Sequence, residues 1–363
     1  MKTYHIGRKD LTSFVENVFL KLGVKPEDAL TCAEILVAAD ARSIPSHGVA
    51  RLWRYKNGIQ KKIMLTDAKP AVLRETPMSL VIDANGDMGM GLSKKTMETV
   101  ISKAEKTGAA FASIRNSNHF GIAGFYSEMA AGHDMIGIAM TNTAALMVPT
   151  FGSEAMLGTN PIAFSVPALN GEMFTLDMAT TCVTRGKIET YERECKKLPY
   201  GWAVNTEGKV TEDAASLLED MLFQRGGGLL PLGGEGELFS GYKGYGLAAL
   251  VDIMTAITGG GTFGKSVKDS KETSARVCHF FGAVRIDIFR DAEEFKKDMT
   301  RFLSELNNSK KAAGCSRIYY AGQKEHESEQ LSRKEGIVLS EKVTEELVSI
   351  GKELGIEIPK FQA

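Results

Sequence analysis

No apolar run in the sequence approaches the eighteen or so residues that cross a membrane. The N-terminal stretch "MKTYHIGRKD" lacks the apolar core of a signal peptide. A formal net charge of −1 supplies no long-range field to favour nucleic acid or an anionic membrane. The five cysteines, Cys32, Cys182, Cys195, Cys278 and Cys315, are odd in number, scattered, and without a Cys-x-x-Cys pair. They read as free thiols in a reducing cytoplasm rather than as disulfides or metal ligands. None of the six histidines pairs with another at zinc-ligand spacing. A Gly-x-Ser-x-Gly nucleophile elbow is absent. The one literal G-x-G-x-x-G (Gly259, Gly261, Gly264) follows a helical pattern instead of a strand, so it reads as a helix end and loop, not as a dinucleotide fingerprint. Gly236 and Gly241 have P-loop spacing, but Tyr242-Lys243 follows where Lys-Ser/Thr is required.

What is present is the composition of an ordinary soluble globular protein, 43% hydrophobic and 25% charged, in a chain of 363 residues that can bury a core of two or three lobes. Leu11, Phe14, Val15, Val18, Phe19 and Leu22 recur at helical spacing up to Gly23. A second helix enters at Pro26 with acids in its first turn, and carries the apolar stripe Leu30, Ala33, Ile35, Leu36, Val37. Short strand-like runs follow in the middle of the chain: "SLVID", "AAFASIR", "MIGIAMTN", "PIAFSVP" and "EMFTLDMAT". The stretch "GYKGYGLAALVDIMTAITGGG" predicts a glycine-rich turn feeding a helix with Leu247, Leu250, Val251 and Met254 toward the core, and the tail from about Asp291 is helical and polar. These patterns predict an α/β protein: a helical segment over 1–70, an α/β region over 71–290, and a helical segment over 291–363 that packs with the first.

Two histidines stand in polar, glycine-rich company. In "SIPSHGVARLWRY", Pro45 bars a straight continuation of the preceding helix, so Ser46, His47 and Gly48 sit where the chain turns, with Arg51 four residues after His47. His119 lies in "RNSNHFGIAGFYSEMA", between a strand and a helix. A lone histidine is more often structural than catalytic. Yet each of these lies where an element ends, histidine exchanges a proton near neutral pH, and arginine can clamp a carboxylate with two hydrogen bonds. A His and an Arg on one turn suit a 2-hydroxy or 2-keto acid.

At these residues the chain resembles the type-2 malate/L-lactate dehydrogenase family, which also contains ureidoglycolate and sulfolactate dehydrogenases and a cyclic-imine reductase. Six motifs carry the resemblance, in order, from about Leu11 to Gly355: "SHGVARLWRY", "NSNHFGIAGFYSEMA", "LGTNPIAFSVP", "LDMATTCVTRGKI", "LPLGGEGELFSGYKGYGLAALVDI" and "YYAGQKEH". The resemblance implies a non-Rossmann α/β fold, with a mixed-sheet cofactor lobe and a helical lobe built from both termini. It also implies a homodimer, NAD or NADP as cofactor, and malate–oxaloacetate interconversion by hydride transfer. Other 2-hydroxy acids (lactate, sulfolactate, ureidoglycolate), a cyclic imine, or an inactive cofactor-binding protein remain as alternatives. Residue by residue, His47 matches the acid/base histidine with Ser46 as its partner, and His119 the second histidine. Arg51, Thr159 and Lys187 match substrate contacts. Phe120, Gly121, Ile122, Ala123, Thr143, Asp177, Met178, Ala179, Lys243, Gly322 and Gln323 match cofactor contacts. Taken alone, Lys243 reads as a solvated loop lysine, Asp177 as a turn or cap residue, and Thr159 as part of a turn. Lys187 stands where the imine-reducing branch has an acid, which favours hydroxy-acid chemistry. Ala321-Gly322-Gln323 departs from the family's Pro-Gly-acid.

Overall fold

The computed structural model describes residues 2–268 and 274–362. Its elements are β1 (Thr3–Ile6), α1 (Arg8–Lys21), α2 (Pro26–Ala41), α3 (Leu52–Gln60), β2 (Ala71–Glu75), β3 (Ser79–Asp83), α4 (Gly89–Thr107), β4 (Ala109–Ser117), α5 (Ala123–Ala131), β5 (Met135–Thr141) and β6 (Ile162–Pro167). They continue with β7 (Met173–Met178), α6 (Arg185–Arg193), β8 (Ala203–Val204), α7 (Ala214–Phe223), β9 (Gly228–Leu229), α8 (Gly241–Asp252), β10 (Val277–Arg285), α9 (Ala292–Asn308), α10 (Gln323–Glu335), β11 (Ile337–Ser340) and α11 (Glu341–Leu354).

Seven strands form a mixed sheet in the order β2-β3-β4-β10-β5-β6-β7. Only β3 and β4 run parallel; every other neighbouring pair is antiparallel. The α/β expectation holds. Among the described residues no helix is long and apolar enough to cross a membrane.

The register decides where chemistry can gather. Val277 pairs with Ser117, His279 with Thr141, and Ile162 with both Met140 and Met178. The C-terminal ends of β4, β5 and β7 therefore lie at the same edge as the starts of β10 and β6. The segments after Ser117, Thr141 and Met178 and before Ile162 converge there, although they are far apart in sequence.

One face of the sheet is covered by α4 and α5, and beyond them by α1 and α2. Phe14, Val18 and Phe19 of α1, Ile35 and Leu36 of α2, Met97 and Val100 of α4, and Ile114 and Phe281 of the sheet share one buried core, which Leu347 and Ile350 of α11 complete. The two ends of the chain meet directly: β1 pairs antiparallel with β11. Helix α9 docks elsewhere, with Thr300 Oγ1 accepting from Leu169 N at 3.0 Å. On the opposite face Val251 of α8 packs with Met140, Ile162 and Phe280.

The glycines of "GMGL" lie inside α4, which passes so close to the loop after β4 that a side chain at Gly89 would strike the Asn118 carbonyl at 2.1 Å. Leu30 and Leu250 face outward, at 41% and 42% exposed, while Val251 is fully buried. Strand β10, at the centre of the sheet, was not among the predicted strands. It is buried along most of its length and carries no polar alternation to mark it.

Candidate active site

Helix α2 ends at Ala41, and the chain turns through a short 3-10 segment, Pro45–His47, before α3 begins. Asp40 is buried beneath this turn and accepts from Val49 N at 2.7 Å. Loss of water raises its carboxyl to about 7 against the lowering effect of that N–H. A Cβ at Gly48 would meet the Asp40 carboxylate at 2.1 Å, so glycine is what lets the turn close over it.

The turn presents His47 with its Nδ1 2.9 Å from Ser46 Oγ. Arg51 Nε donates to the Ser46 carbonyl at 2.6 Å, which fixes the guanidinium against the same turn and leaves its two terminal nitrogens without a partner among the described residues. His119 arrives from the end of β4, and the two rings stack with centroids 5.5 Å apart at 22°. Register and turn thus bring together two histidines 72 positions apart. Burial, then the positive charges of Arg51 and Arg54, depress His47 to about 4. Burial, then His47, Arg54 and Arg51, hold His119 well below its ordinary value. Both rings are neutral at pH 7.

Arg54 and Tyr55 belong to this site and were not among the predicted residues. Tyr55 is 1% exposed, and its hydroxyl lies 2.5 Å from His119 Nδ1. It reads in sequence as one more apolar position of a short helix. Its spacing of four from Arg51 was the available signal, because it sets Tyr55 one helical turn beyond the arginine that precedes α3.

A third histidine lies underneath. His279 Nε2 donates to the Asn118 carbonyl at 3.1 Å, so its Nδ1 accepts from Thr141 Oγ1 at 2.8 Å. Its ring stacks on Phe120 at 4.5 Å. Burial holds it at about 3. This histidine braces the loop that carries His119.

The predicted cofactor residues fall mainly in one place. Phe120, Ile122 and Ala123 are buried at the entry to α5. Asp177, at the end of β7, accepts from Gly124 N at 2.7 Å, so one carboxylate oxygen caps α5. Asp177 opens to solvent on one side and is crowded by protein on the others, which raises it to about 6. Met178 and Ala179 follow it, half-buried. The Ala321-Gly322 turn lies against the same strand, with Thr175 N donating to Ala321 O at 3.1 Å, and the Gln323 amide oxygen accepts from Tyr320 N at 3.3 Å. Thr143 and Thr159 meet at the ends of β5 and β6: Thr159 N donates to Thr143 Oγ1 at 3.0 Å. Backbone bonds then run from Leu232 to Thr180 and from Gly244 to Leu232, which seats Lys243, exposed and without an ion-pair partner among the described residues, on that wall. Lys187 is exposed on α6, with its Nζ 5.7 Å above the Tyr191 ring. Among the described residues no group of histidines, cysteines and carboxylates could hold a metal.

Gly121 joins the two halves of the site. Its φ is +88°, and a Cβ there would approach Ile35 Cγ2 of α2 to 2.3 Å. Gly121→Ala is expected to cost about 2 kcal/mol or more from backbone strain and overpacking together. Urea unfolding of the two proteins checks this; equal midpoints would mean that the loop is free to move away from α2.

The family model of malate/L-lactate dehydrogenases matches residues 6–348. A malate dehydrogenase of Pyrococcus abyssi is 43% identical over 352 residues, 97% of this chain and 95% of that one. An L-sulfolactate dehydrogenase of Methanocaldococcus jannaschii is 39% identical, with 95% and 96% covered. Among solved structures, the malate dehydrogenase of Entamoeba histolytica superposes with a TM-score of 0.94 at 36% identity, covering 99% of this chain and 100% of that one.

Proposed function

The chain belongs to the malate/L-lactate dehydrogenase family, and from that premise we propose that it interconverts malate and oxaloacetate with NAD or NADP. The observation that carries this reading is the stacked pair His47–His119 beside an arginine already anchored to the turn. Ser46, Tyr55 and Gly121 occupy the Nδ1 side of the two rings, which leaves each Nε2 for a substrate oxygen. Arg51, held through Nε, offers its two terminal nitrogens as a fork for a carboxylate. In malate oxidation His47 accepts the hydroxyl proton while Arg51 holds the carboxylate and the protein fixes the carbinol carbon between them.

The residues present fit a dinucleotide. Asp177 offers an oxygen beside the backbone of Phe120, Gly121, Ile122 and Ala123. Met178 and Ala179 follow Asp177 and the Gly322-Gln323 turn lies against the same strand, Thr143 and Thr159 meet on the adjoining wall, and Lys243 adds a positive charge suited to phosphate. When bound there, the cofactor would supply the acceptor for the hydride that leaves the carbinol carbon.

Purified protein with oxaloacetate and each reduced cofactor, followed by loss of the cofactor's absorbance, tests the reading. Turnover of another 2-keto acid or a cyclic imine alone would move the assignment within the family. Cofactor binding without turnover of any of these would replace it with a binding function.

The homodimer has its own support. Tyr242, Leu250, Ile253 and Ile257 follow one another at helical spacing along α8 and its continuation, and all are exposed, by 48%, 42%, 46% and 53%. Leu238 and Phe239, just before the helix, are 91% and 53% exposed. An apolar stripe of this length supports the reading of an interface with a second copy of the chain. With Lys243 in the first turn of the same helix, a second copy seated here would border the cofactor wall. Ile253→Glu is expected to convert the dimer to monomer in sedimentation velocity. A variant that remained dimeric would assign the interface to another face.

A further inference from the structure

We propose that Tyr55 is a positioning residue that locks His119 as a neutral imidazole with its proton on Nε2, so that His119 only donates a hydrogen bond while His47 alone changes protonation during turnover. The assignment rests on the hydroxy-acid reading above for its catalytic meaning, but not for its geometry.

His119 Nδ1 has two neighbours: Tyr55 Oη at 2.5 Å and Gly121 N at 3.3 Å. A backbone N–H can only donate, so Nδ1 presents its lone pair and the ring's single proton sits on Nε2. Tyr55 must then donate as well. Protonating Nδ1 would break both bonds inside a site where water cannot replace them. The groups acting most strongly on His119 from the elements packed around it are His47 on the turn, Arg54 and Arg51 on and before α3, and His279 on β10, all of them cationic or neutral. A second positive charge on the ring is opposed from each of these directions.

Tyr55 cannot serve as a proton relay. Its burial pushes the phenol well above its ordinary value, so giving a proton to Nδ1 would leave a tyrosinate where none is tolerated. It orients the imidazole, with its own ring held edge-on against Phe19 at 6.0 Å.

His47 is built differently. Its Nδ1 partner is a hydroxyl, Ser46 Oγ at 2.9 Å, which can accept as readily as it donates. Neutral His47 with Nδ1–H on Ser46 has a basic Nε2. The charges that bear on it most are Arg51 and Arg54, with the Asp40 carboxyl beneath the turn. In oxidation the hydroxyl proton passes to His47 Nε2, the ring becomes an imidazolium that keeps its Nδ1–H bond to Ser46, and the proton leaves to solvent. His119 Nε2–H stays on the substrate oxygen throughout, with no net transfer.

Long-range proton–nitrogen NMR on the full-length, ligand-free protein with nitrogen-15 histidine reads the tautomer directly, and His119→Gln assigns the signals. The expected result is a pyridine-type Nδ1 and a protonated Nε2 for His119, unchanged from about pH 5 to 8, the range where histidine ordinarily titrates. An Nδ1–H tautomer, or an imidazolium in that range, overturns the proposal. Tyr55→Phe keeps the ring and removes the donor. It should disturb the His119 nitrogen shifts and lower kcat by about tenfold, the worth of one hydrogen bond, with KM little changed; unaltered shifts in a folded variant would make Tyr55 merely structural. His119→Gln retains an N–H donor and should keep the parent's pH profile, whereas His47→Gln should lose the limb that His47 sets. Loss of that limb in His119→Gln overturns the division of roles. If the parent turns over no keto acid at all, the hydroxy-acid reading falls while the tautomer measurement still decides the lock.

Discussion

Replacing His47 with alanine is expected to lower kcat by at least about a hundredfold, the low end for a general acid–base group. The side chain is half-buried on a turn whose shape is held by other bonds: Val49 N to Asp40, and Arg51 Nε to the Ser46 carbonyl. Its loss should therefore leave the fold in place, and the thermal transition of the variant checks that. The direction of the pH dependence follows from the depressed value of about 4. A histidine held that low is neutral at pH 7 and ready to act as a base, so kcat/KM for oxidation should hold as the pH falls and decline only as it approaches 4. A bound carboxylate offsets the charges of Arg51 and Arg54, which raises His47 in the complex and makes its protonated form available for the reverse reaction. Near-parental kcat in a folded His47→Ala protein would take the proton out of its hands and return it to His119.

The turn itself was legible because its residues act locally. Pro45 cannot extend α2, and Gly48 alone fits over Asp40, so Ser46 and His47 had to stand at a bend. The five strands from β3 to β7 were legible from runs of apolar and β-branched residues between turns. What escaped was whatever depends on distant pairing. β10 takes its place between β4 and β5 through bonds to segments more than a hundred positions away. The outward turn of Leu250 depends on which side of α8 meets the sheet, and three glycines near its start blur the periodicity that would show it. Tyr55 escaped for a related reason. Burial and catalysis use the same side chain, its ring in the core and its hydroxyl on His119, and the sequence displays only the first.

The structure also changes what can recognise the second carboxylate of oxaloacetate. Besides Arg51, the resemblance implies Lys187 and Thr159 as substrate contacts, and Arg185 lies two residues before Lys187. Lys187 leans over Tyr191, Arg185 pairs with Glu189 at 3.0 Å, and the Thr159 hydroxyl lies 3.4 Å from that of Thr143. Arg54 is a further candidate by its position. It stands in the first turn of α3, three residues after Arg51, is exposed, and acts on both histidines. A substrate with its reacting oxygen between the two Nε2 atoms and one carboxylate on Arg51 would carry its second carboxylate toward Arg54. A charge-assisted contact of about 1.5–3 kcal/mol corresponds to roughly ten- to two-hundredfold discrimination. Oxaloacetate is accordingly expected to exceed pyruvate in kcat/KM by that factor at one pH and cofactor concentration. Arg54→Gln should bring the two keto acids within about tenfold by lowering the value for oxaloacetate while leaving pyruvate nearly as it was. A sulfonate would satisfy the same arginine, so 3-sulfopyruvate belongs in the comparison, and its loss should parallel that of oxaloacetate. If pyruvate equals oxaloacetate in the parent, the malate assignment fails and a monocarboxylate takes its place. If the preference survives Arg54→Gln intact, the distal anion is held by another element, and α6, whose Glu189 charge reaches Arg51, is the next to test.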